Sequence, residues 1–265
     1  MLLRETGFTF NGLHSRDDMG LQYVEKDGHP IIPRISRNEY EIAGASGTVL
    51  MPGESWQPMT FEGTLYPLQE RATQAAAQQL LRTVAAWLTA GRCKLIFDYE
   101  PGKYYLAELS DQSKWSLKNW FGGELPVKFE AQPFAYAVTE TSAMATATGN
   151  AVTVMVNLST GQPAPLKLAV RNTGSAPITG ITVGLSGGNT AAVTLAGMNL
   201  VNGQTLTING EPPIGAAIGT TNALPYAAAF APVNLQNGIN NVYVQLTWGS
   251  GTKGAQVTAS ARGRW

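Results

Sequence analysis

The half of the chain that follows residue 150 consists of short runs in which apolar and polar residues alternate. Side chains two residues apart lie on the same face of a β-strand, so each run predicts a strand with one buried face. The apolar sets are Val152/Val154/Val156, Leu166/Leu168/Val170, Ile181/Val183/Leu185, Val193/Leu195, Leu206/Ile208, Val242/Val244/Leu246/Trp248 and Val257/Ala259/Ala261. About eight short strands at roughly ten-residue spacing are typical of an antiparallel β-sandwich. A looser segment is expected from Glu211 to Pro232, and no helix is expected in this half.

The N-terminal half has a second strand pattern between Leu95 and Tyr136. Alternation up to Tyr99, a turn at Glu100–Lys103 and an extended run from Tyr104 to Leu109 predict a β-hairpin. A further strand is predicted where four apolar residues share one face: Leu125, Val127, Phe129 and Ala131. Pro133 is expected to end this strand, because proline has no N–H to donate to a neighbour.

Shorter strands are predicted before this stretch. Phe8–Phe10 runs into the turn signal Asn11-Gly12, and residues 21–24 are expected to supply its return strand. Further extended segments are expected at Tyr40–Ile42, Thr48–Met51 and between Met59 and Leu65.

One helix is expected in the chain, over about residues 67–90. Pro67 suits a first helical turn, Glu70 complements the N-terminal dipole, and Gly91 stands where a C-cap belongs. Apolar residues recur at steps of three and four, which predicts a single buried face: Ala77, Leu80, Leu81, Val84, Trp87 and Leu88.

The distribution of charge divides the chain into two parts. Beyond Glu140 the charged residues are Lys167, Arg171, Glu211, Lys253, Arg262 and Arg264, whereas the first 140 residues hold the other 30 of the 36. This change falls in the Thr-, Ala- and Gly-rich run 139–150, which predicts a domain boundary there. The expected domains are residues 1–140 and residues 141–265.

The overall charge of the chain excludes several partners. The formal net charge is zero, which disfavours binding to nucleic acid or to an anionic membrane.

Cys93 is the only cysteine, so no intramolecular disulfide is expected. Neither a signal peptide after Met1 nor a membrane-spanning stretch is predicted, and the chain is expected to fold in a cytoplasm.

No catalytic, cofactor-binding or metal-binding residue is predicted. Gly249–Gly254 formally matches GxGxxG, but a strand pattern follows it, so it is interpreted as a hairpin loop. His14, Asp17 and Asp18 are interpreted as a solvated turn, since the second histidine, His29, forms no ligand spacing with them. An acid pair for glycoside hydrolysis would have to come from residues such as Asp98 and Glu108, which are expected on a solvated hairpin.

Two groups of aromatic residues remain open to a binding role. A β-sandwich can bind sugars, and its candidate platforms are Tyr226, Phe230, Tyr243 and Trp248. Trp248 shares the apolar face of its run and is expected in the core, whereas Tyr243 lies on the opposite face and is a weak candidate for ligand binding. Trp115 and Trp120 are compatible with an interface or with packing onto the helix or sheet.

The order of the segments resembles the distal tail (Dit) proteins of long non-contractile-tailed bacteriophages. The segments that carry the resemblance are Phe8–Gly12 with Ser15 and Asp18–Gly20, Pro52-Gly53, Ala86–Leu88, Leu95–Asp98 with Tyr104–Ala107, Val127–Phe129 with Gln132–Tyr136, Leu235–Asn240, and Arg264-Trp265. They span most of the chain. Each is short, and their order gives the match its weight.

The resemblance implies a mainly β protein with two domains. The first would be a tail-tube-like β-sandwich or barrel with one helix that assembles as a hexameric ring, and the second a galectin-like antiparallel β-sandwich placed around the ring. The implied function is a non-enzymatic hub at the distal end of the phage tail, in the virion. Its implied partners are further copies of itself, the tail tube protein and the tail tip or tail fibre hub protein, with a receptor-binding protein or a host glycan as an open alternative. A carbohydrate-binding module that contacts the bacterial surface is the alternative function.

Overall fold

A computed structural model describes residues 7–26, 28, 30–41, 46, 48–69, 73–110, 114, 116–119, 122–185 and 192–265. The chain divides into two compact units, Met1–Val138 and Thr139–Trp265, called unit 1 and unit 2. Every strand pair in the described residues is antiparallel, and these residues contain a single α-helix. The prediction of a mainly β protein with one helix is therefore confirmed.

Unit 1 contains an antiparallel sheet that, in the described residues, has eight strands. Their order is β2-β1-β7-β8-β10-β6-β3, and β9 pairs with β10. A separate two-stranded sheet consists of β4 and β5. The elements are β1 Phe8–Phe10, β2 Leu13–His14, β3 Leu21–Glu25, β4 Ile35–Glu41, β5 Thr48–Trp56, β6 Met59–Pro67, α1 Gln74–Leu88, β7 Cys93–Phe97, β8 Lys103–Leu109, β9 Ser116–Asn119 and β10 Gly122–Ala137.

The helix α1 begins later than the sequence predicts. Pro67 belongs to β6, where it lies opposite Leu21, and the N-cap is Thr73, whose hydroxyl oxygen accepts from the Ala76 N–H at 3.2 Å. Glu70 lies outside the described residues. The predicted apolar face is confirmed. Its C-terminal half is buried and consists of Val84, Trp87 and Leu88. The other members of the stripe are partly buried: Ala77, Leu80 and Leu81.

Two predicted strand relationships in unit 1 are wrong. The strand β10 does not end at Pro133, because its pairing with β8 shifts register between Ala131 and Ala135. Proline at such an irregularity removes no ladder hydrogen bond that the sheet needs. The return strand of β1 is the short β2, whereas Leu21–Glu25 pairs with β6.

Aromatic side chains fill the core of unit 1. The ring of Phe97 lies 5.2–6.5 Å, centre to centre, from the rings of Phe8, Tyr23, Phe61 and Tyr105. Phe129 on β10 packs edge-on against Phe8 of β1 at 5.4 Å. Because these rings come from strands far apart in sequence, the core fixes the order of the sheet as well as its stability.

The buried tyrosines of unit 1 predict a loss of stability in alkali. Burial, with a smaller contribution from the charge of Glu100, raises the pKa of Tyr105 to about 12, and burial also raises the pKa of Tyr23. Above the ordinary tyrosine pKa of about 10, the unfolded chain releases protons that the folded chain retains, so stability falls as pH rises towards 12. We expect a loss of roughly 1.4 kcal/mol per pH unit for each such tyrosine.

Urea unfolding of the protein at about pH 8 and about pH 11 tests this expectation. Tyr105→Phe, which has no hydroxyl to titrate, should reduce the difference between the two free energies of unfolding. An unchanged difference would show that the Tyr105 hydroxyl does not contribute.

Unit 2 contains two sheets with a shared core. In the described residues, one sheet has the order β11-β22-β13-β16-β17-β18, with β20 also paired to β13, and the other has the order β12-β21-β14-β15-β19. The elements are β11 Thr141–Ala147, β12 Ala151–Leu158, β13 Ala164–Asn172, β14 Ile178–Leu185, β15 Val193–Leu200, β16 Thr205–Asn209, β17 Gly215–Ile218, β18 Thr221–Asn222, a 3₁₀ turn Leu224–Tyr226, β19 Ala227–Phe230, β20 Asn234–Leu235, β21 Gly238–Trp248 and β22 Ala255–Ala261. Buried residues of both sheets, such as Val154 and Leu168, form one hydrophobic cluster, as expected of a sandwich.

Two stretches of unit 2 are more ordered than the sequence predicts. The expected boundary run 139–150 contains β11, which pairs with β22 over seven residues. Its inward side chains are mainly alanines, which give only a weak apolar period. The expected loose segment 211–232 contains β17, β18 and β19. The GxGxxG match is a loop followed directly by the strand β22, as predicted, but it is not a hairpin loop, because β21 and β22 belong to different sheets.

Candidate functional site

The two-stranded sheet of β4 and β5 is the feature of unit 1 that most needs a partner. In the described part of the chain, neither strand pairs with any third strand. Its base is closed by the Gln57 N–H, which donates to the Arg34 carbonyl at 2.8 Å, and the Trp56 ring lies 5.7 Å from the Phe134 ring of β10. Because an isolated two-stranded hairpin is at best marginally stable in water, this hairpin is suited to lie against another surface.

Two isoleucines just before this hairpin are almost fully exposed. Ile31 and Ile32 expose 82% and 81% of their surface. Single exposed apolar residues are common, but two consecutive isoleucines beside a hairpin that pairs with no third described strand form a small apolar patch. We call Ile31, Ile32 and the β4–β5 hairpin the arm.

A groove of about 510 Å³ lies between α1 and the turn that follows β2. The turn contributes Arg16, Asp17 and Asp18, and the helix contributes Gln79 and Thr83. These side chains carry both signs of charge and include no thiol or imidazole. The groove therefore offers charged and polar contacts for a binding partner.

The histidine beside this turn has a structural role. The Asp17 N–H donates to His14 Nδ1 at 3.1 Å, so the neutral ring carries its proton on Nε2 and donates to the Asp98 carboxylate at 3.0 Å. The His14 N–H in turn donates to the Asp18 carboxylate at 2.6 Å. These bonds make the predicted turn an ordered one and connect it to the end of β7. His29 lies outside the described residues.

The candidate acids for hydrolysis have different partners. Asp98 accepts from His14, and Glu108 is paired with Arg92. Within the described ranges, no three His, Cys, Asp or Glu side chains are placed to hold a metal ion. No helix among the described residues has the length and apolar character needed to span a bilayer.

The aromatic candidates of unit 2 separate as their faces predict. Trp248 packs against the core and its Nε1 donates to the Gly149 carbonyl at 3.0 Å. Phe230 is also partly buried against the core. Tyr243 on β21 is 38% exposed, and its neighbours on the same face, Asn241 and Gln245, are exposed amides. Tyr226 is 40% exposed on the 3₁₀ turn. Trp115 and Trp120 lie outside the described residues.

Comparison with known proteins gives a clear result at the level of structure. No family model and no curated protein sequence matches the chain. The fold is that of hub and baseplate components of bacteriophage tails.

The chain is similar to the Dit protein of phage SPP1, described as a paradigm of the hub adsorption apparatus in phages that infect Gram-positive bacteria. The TM-score is 0.71 at 14% identity, covering 97% of this chain and 98% of that chain. It is also similar to a chain of the phage P2 baseplate in its activated conformation. For the baseplate structure with Ca, the TM-score is 0.56 at 9% identity, and the match covers 97% of this chain and 98% of that chain. For the baseplate structure with Sr, the TM-score is 0.52 at 10% identity, and the match covers 97% of each chain. The predicted resemblance to Dit proteins is therefore confirmed as a Dit-like fold.

Sequence reasoning missed the isolation of the β4–β5 hairpin. Tyr40–Ile42 and Thr48–Met51 were expected as brief strands. The described strands are longer, Ile35–Glu41 and Thr48–Trp56, and Ile42 lies outside the described residues. No local pattern indicates that a strand pair will lack a third strand. The exposed pair Ile31-Ile32 next to Pro30 and Pro33 was the available signal for an apolar surface.

Proposed function

We propose that this protein is a structural subunit of a phage virion that forms a ring, hexameric as in the Dit family it resembles, at the distal end of the tail. The ring would act as a hub that joins the tail tube to the tip or baseplate and to the receptor-binding parts. The observation that carries this proposal is the structural similarity to SPP1 Dit over nearly the whole of both chains. A match from end to end supports a shared architecture better than a match of one domain would.

The arm is a second argument for ring assembly, because it would contact the neighbouring subunit. A hairpin that pairs with no other described strand, preceded by two exposed isoleucines, gains stability if it lies on the neighbouring subunit. In a cyclic ring each subunit gives its arm to one neighbour and receives the arm of the other. We place this contact in the ring-forming domain, residues 1–140.

The second domain, residues 141–265, is proposed as the galectin-like domain around the ring that carries further tail components. Its six charged residues are few for a domain that must remain dispersed by itself. A hub works through these contacts and needs no catalysis, so this proposal gives no enzymatic role to Asp98, which accepts from His14, or to Glu108, which pairs with Arg92.

The arm can be tested with the double variant Ile31→Asp, Ile32→Asp. Since both side chains are more than four-fifths exposed, we expect folding to be retained and ring formation to weaken by at least about tenfold in subunit concentration, because two charges would have to be desolvated in the interface. Multi-angle light scattering and negative-stain images measure the assembly.

The matched control for the arm is Ile239→Asp in unit 2, where the isoleucine is 72% exposed. This variant should form rings like the parent protein. A parent protein that stays monomeric, both alone and with its tube and tip proteins, would contradict the ring itself. Rings that form equally well with both variants would contradict only the role of the arm.

A carbohydrate-binding module is the second candidate, favoured by one observation. Tyr243 presents its ring on an exposed sheet face between two amide side chains, Asn241 and Gln245, and aromatic and amide groups are suited to bind a sugar. We expect Tyr243→Ala to change the free energy of unfolding by less than about 1 kcal/mol, because the ring is not in the core. Binding of the protein to host cell walls, measured with Gln245→Ala as a second variant on the same face, decides whether this surface has a ligand. No binding by the parent protein would end this candidate.

A further inference from the structure

The edge strand β12 of unit 2 leaves a row of backbone groups without a strand partner. We propose that β12 accepts an extended segment of a different tail protein, which adds to the five-stranded sheet as a sixth strand. The inference rests on the proposed ring, and it names how the hub would hold another component. Main-chain hydrogen bonds would supply the affinity, as in other cases of strand addition.

The backbone groups that face outward can be assigned from the register. The Leu246 N–H donates to the Asn150 carbonyl at 2.7 Å, and these residues lie opposite each other by extension of the pairing Ala151↔Gln245. In an antiparallel pair, every second residue exchanges both of its hydrogen bonds with the neighbouring strand. The residues of β12 bonded to β21 are therefore Val152, Val154, Val156 and Leu158. The N–H and C=O groups of the alternate residues point away from the sheet: Ala151, Thr153, Met155 and Asn157.

Nothing in the described residues covers this edge with a hydrogen-bonded strand. The only strand pairing of β12 in the described part of the chain is with β21, and its eight register pairs run without a bulge. The strand contains neither a charged residue nor a proline. Soluble proteins usually protect a long edge strand with one of these features.

The two sheets differ between their two edges. The edges formed by β18 and β19 are protected against strand addition, whereas those formed by β11 and β12 are not. The edge strand β18 has two residues, and the edge strand β19 has four with a register shift in its pairing. The unprotected edges are β11 and β12, which follow each other in the chain and end different sheets. One side of the sandwich therefore differs from the other in its capacity to accept a strand.

A second copy of the chain does not suit this edge inside the proposed ring. Two identical edges face each other only across a two-fold axis, whereas neighbours in a cyclic ring are related by rotation about the ring axis. Every subunit of the ring would therefore keep β12 free for another protein.

The side chains of β12 indicate the sequence that would fit. One face of the strand presents Val154 and Val156 to the core, and the other presents Thr153 and Met155, which is 68% exposed. An added strand would continue both faces, so we expect a segment of about six to eight residues with alternating apolar and uncharged polar side chains. Acidic and basic residues should be absent from its centre.

Amide hydrogen exchange on the purified ring and on isolated phage tails tests the proposal. In the ring, the amides of Ala151, Thr153, Met155 and Asn157 should exchange faster than those of Val152, Val154 and Val156. In the tails, these four outward amides should slow by at least about tenfold, because each outward donor then has a partner.

Three results would overturn the proposal in distinguishable ways. If the outward amides exchange alike in ring and tail while the β4–β5 amides are protected in both, the ring stands and strand addition is wrong. If the outward amides are already protected in the purified ring, their partner is a second copy. If neither β12 nor β4–β5 is protected in either sample, both the ring and the strand addition fail.

Variants at the edge give an independent test. Thr153→Pro removes one outward N–H and no bond to β21, and Met155→Lys adds a charge at the edge without changing the backbone. Both variants should form rings. The amount of the partner tail protein bound per ring should fall by at least about tenfold. The matched controls are Thr146→Pro on β11 and Gln245→Lys on β21, inside the sheet to which β12 belongs. Both control variants should retain the bound partner protein. Retention by both edge variants, or loss only with Thr146→Pro, would contradict strand addition at β12.

Discussion

Trp87→Ala is expected to destabilise unit 1 by about 3–5 kcal/mol, among the largest effects of any single substitution in this unit. The indole is 4% exposed, lies stacked on Phe8 at 5.5 Å, and donates from Nε1 to the Phe10 carbonyl at 2.8 Å. Truncation removes the ring, leaves a cavity between α1 and β1, and removes one donor from the Phe10 carbonyl. Urea unfolding followed by near-ultraviolet circular dichroism measures the change.

Two further variants separate the contributions at this position. Trp87→Phe retains most of the packing but not the N–H, so it should cost less than alanine. Arg82→Ala on the exposed side of the same helix should change the free energy of unfolding by less than about 0.5 kcal/mol. An effect of Trp87→Ala no larger than that of Arg82→Ala would contradict the proposed packing of the helix.

Asn172→Ala is expected to destabilise unit 2 by about 3–5 kcal/mol. The side chain is fully buried, and its Nδ2 donates to the carbonyls of Ala176 and Leu200, both at 2.8 Å. Its Oδ1 accepts from the Gly174 N–H at 2.9 Å. Alanine deprives the Ala176 and Leu200 carbonyls of this donor, at about 1–3 kcal/mol for each such buried group, although the costs are not additive. The Gly174 N–H keeps the Gly254 carbonyl as an acceptor at 2.9 Å.

The control for this residue is Asn157→Ala, on the exposed face of β12, which should have little effect. Asn172→Asp is a sharper comparison, because it preserves the volume and the acceptor but loses both donors. Thermal unfolding of Asn172→Ala, Asn172→Asp and Asn157→Ala gives the order of their stabilities. If Asn172→Ala were as stable as Asn157→Ala, the buried hydrogen bonds would not hold this corner of the sandwich together.

The sequence predicted those strands whose buried face carries large side chains. β13 and β21 followed from alternating Leu and Val residues, and the buried face of β10 followed from Phe129 and its neighbours. The strand β11 was missed because its inward residues are small, and the continuation of β10 past Pro133 was missed because a register shift is a property of two strands together.

The candidate surfaces were less accessible to prediction for the same physical reason. The exposed side of Tyr243 follows from alternation within one strand, so it was foreseen. The isolation of the β4–β5 hairpin and the open edge of β12 depend on which strands are neighbours, and that order is decided by long-range packing. The three hydrogen bonds of Asn172 likewise reach backbone groups brought together only by the fold.

The separation of the two hydrophobic clusters has a consequence for inheritance. Buried residues of unit 1 and of unit 2 form separate cores, and the units meet in the chain between Val138 and Thr139. A genetic crossover at that codon boundary would exchange one complete core for another without cutting through either. The gene can therefore acquire a new unit 2 in a single recombination event while the sequence that encodes unit 1 is inherited intact.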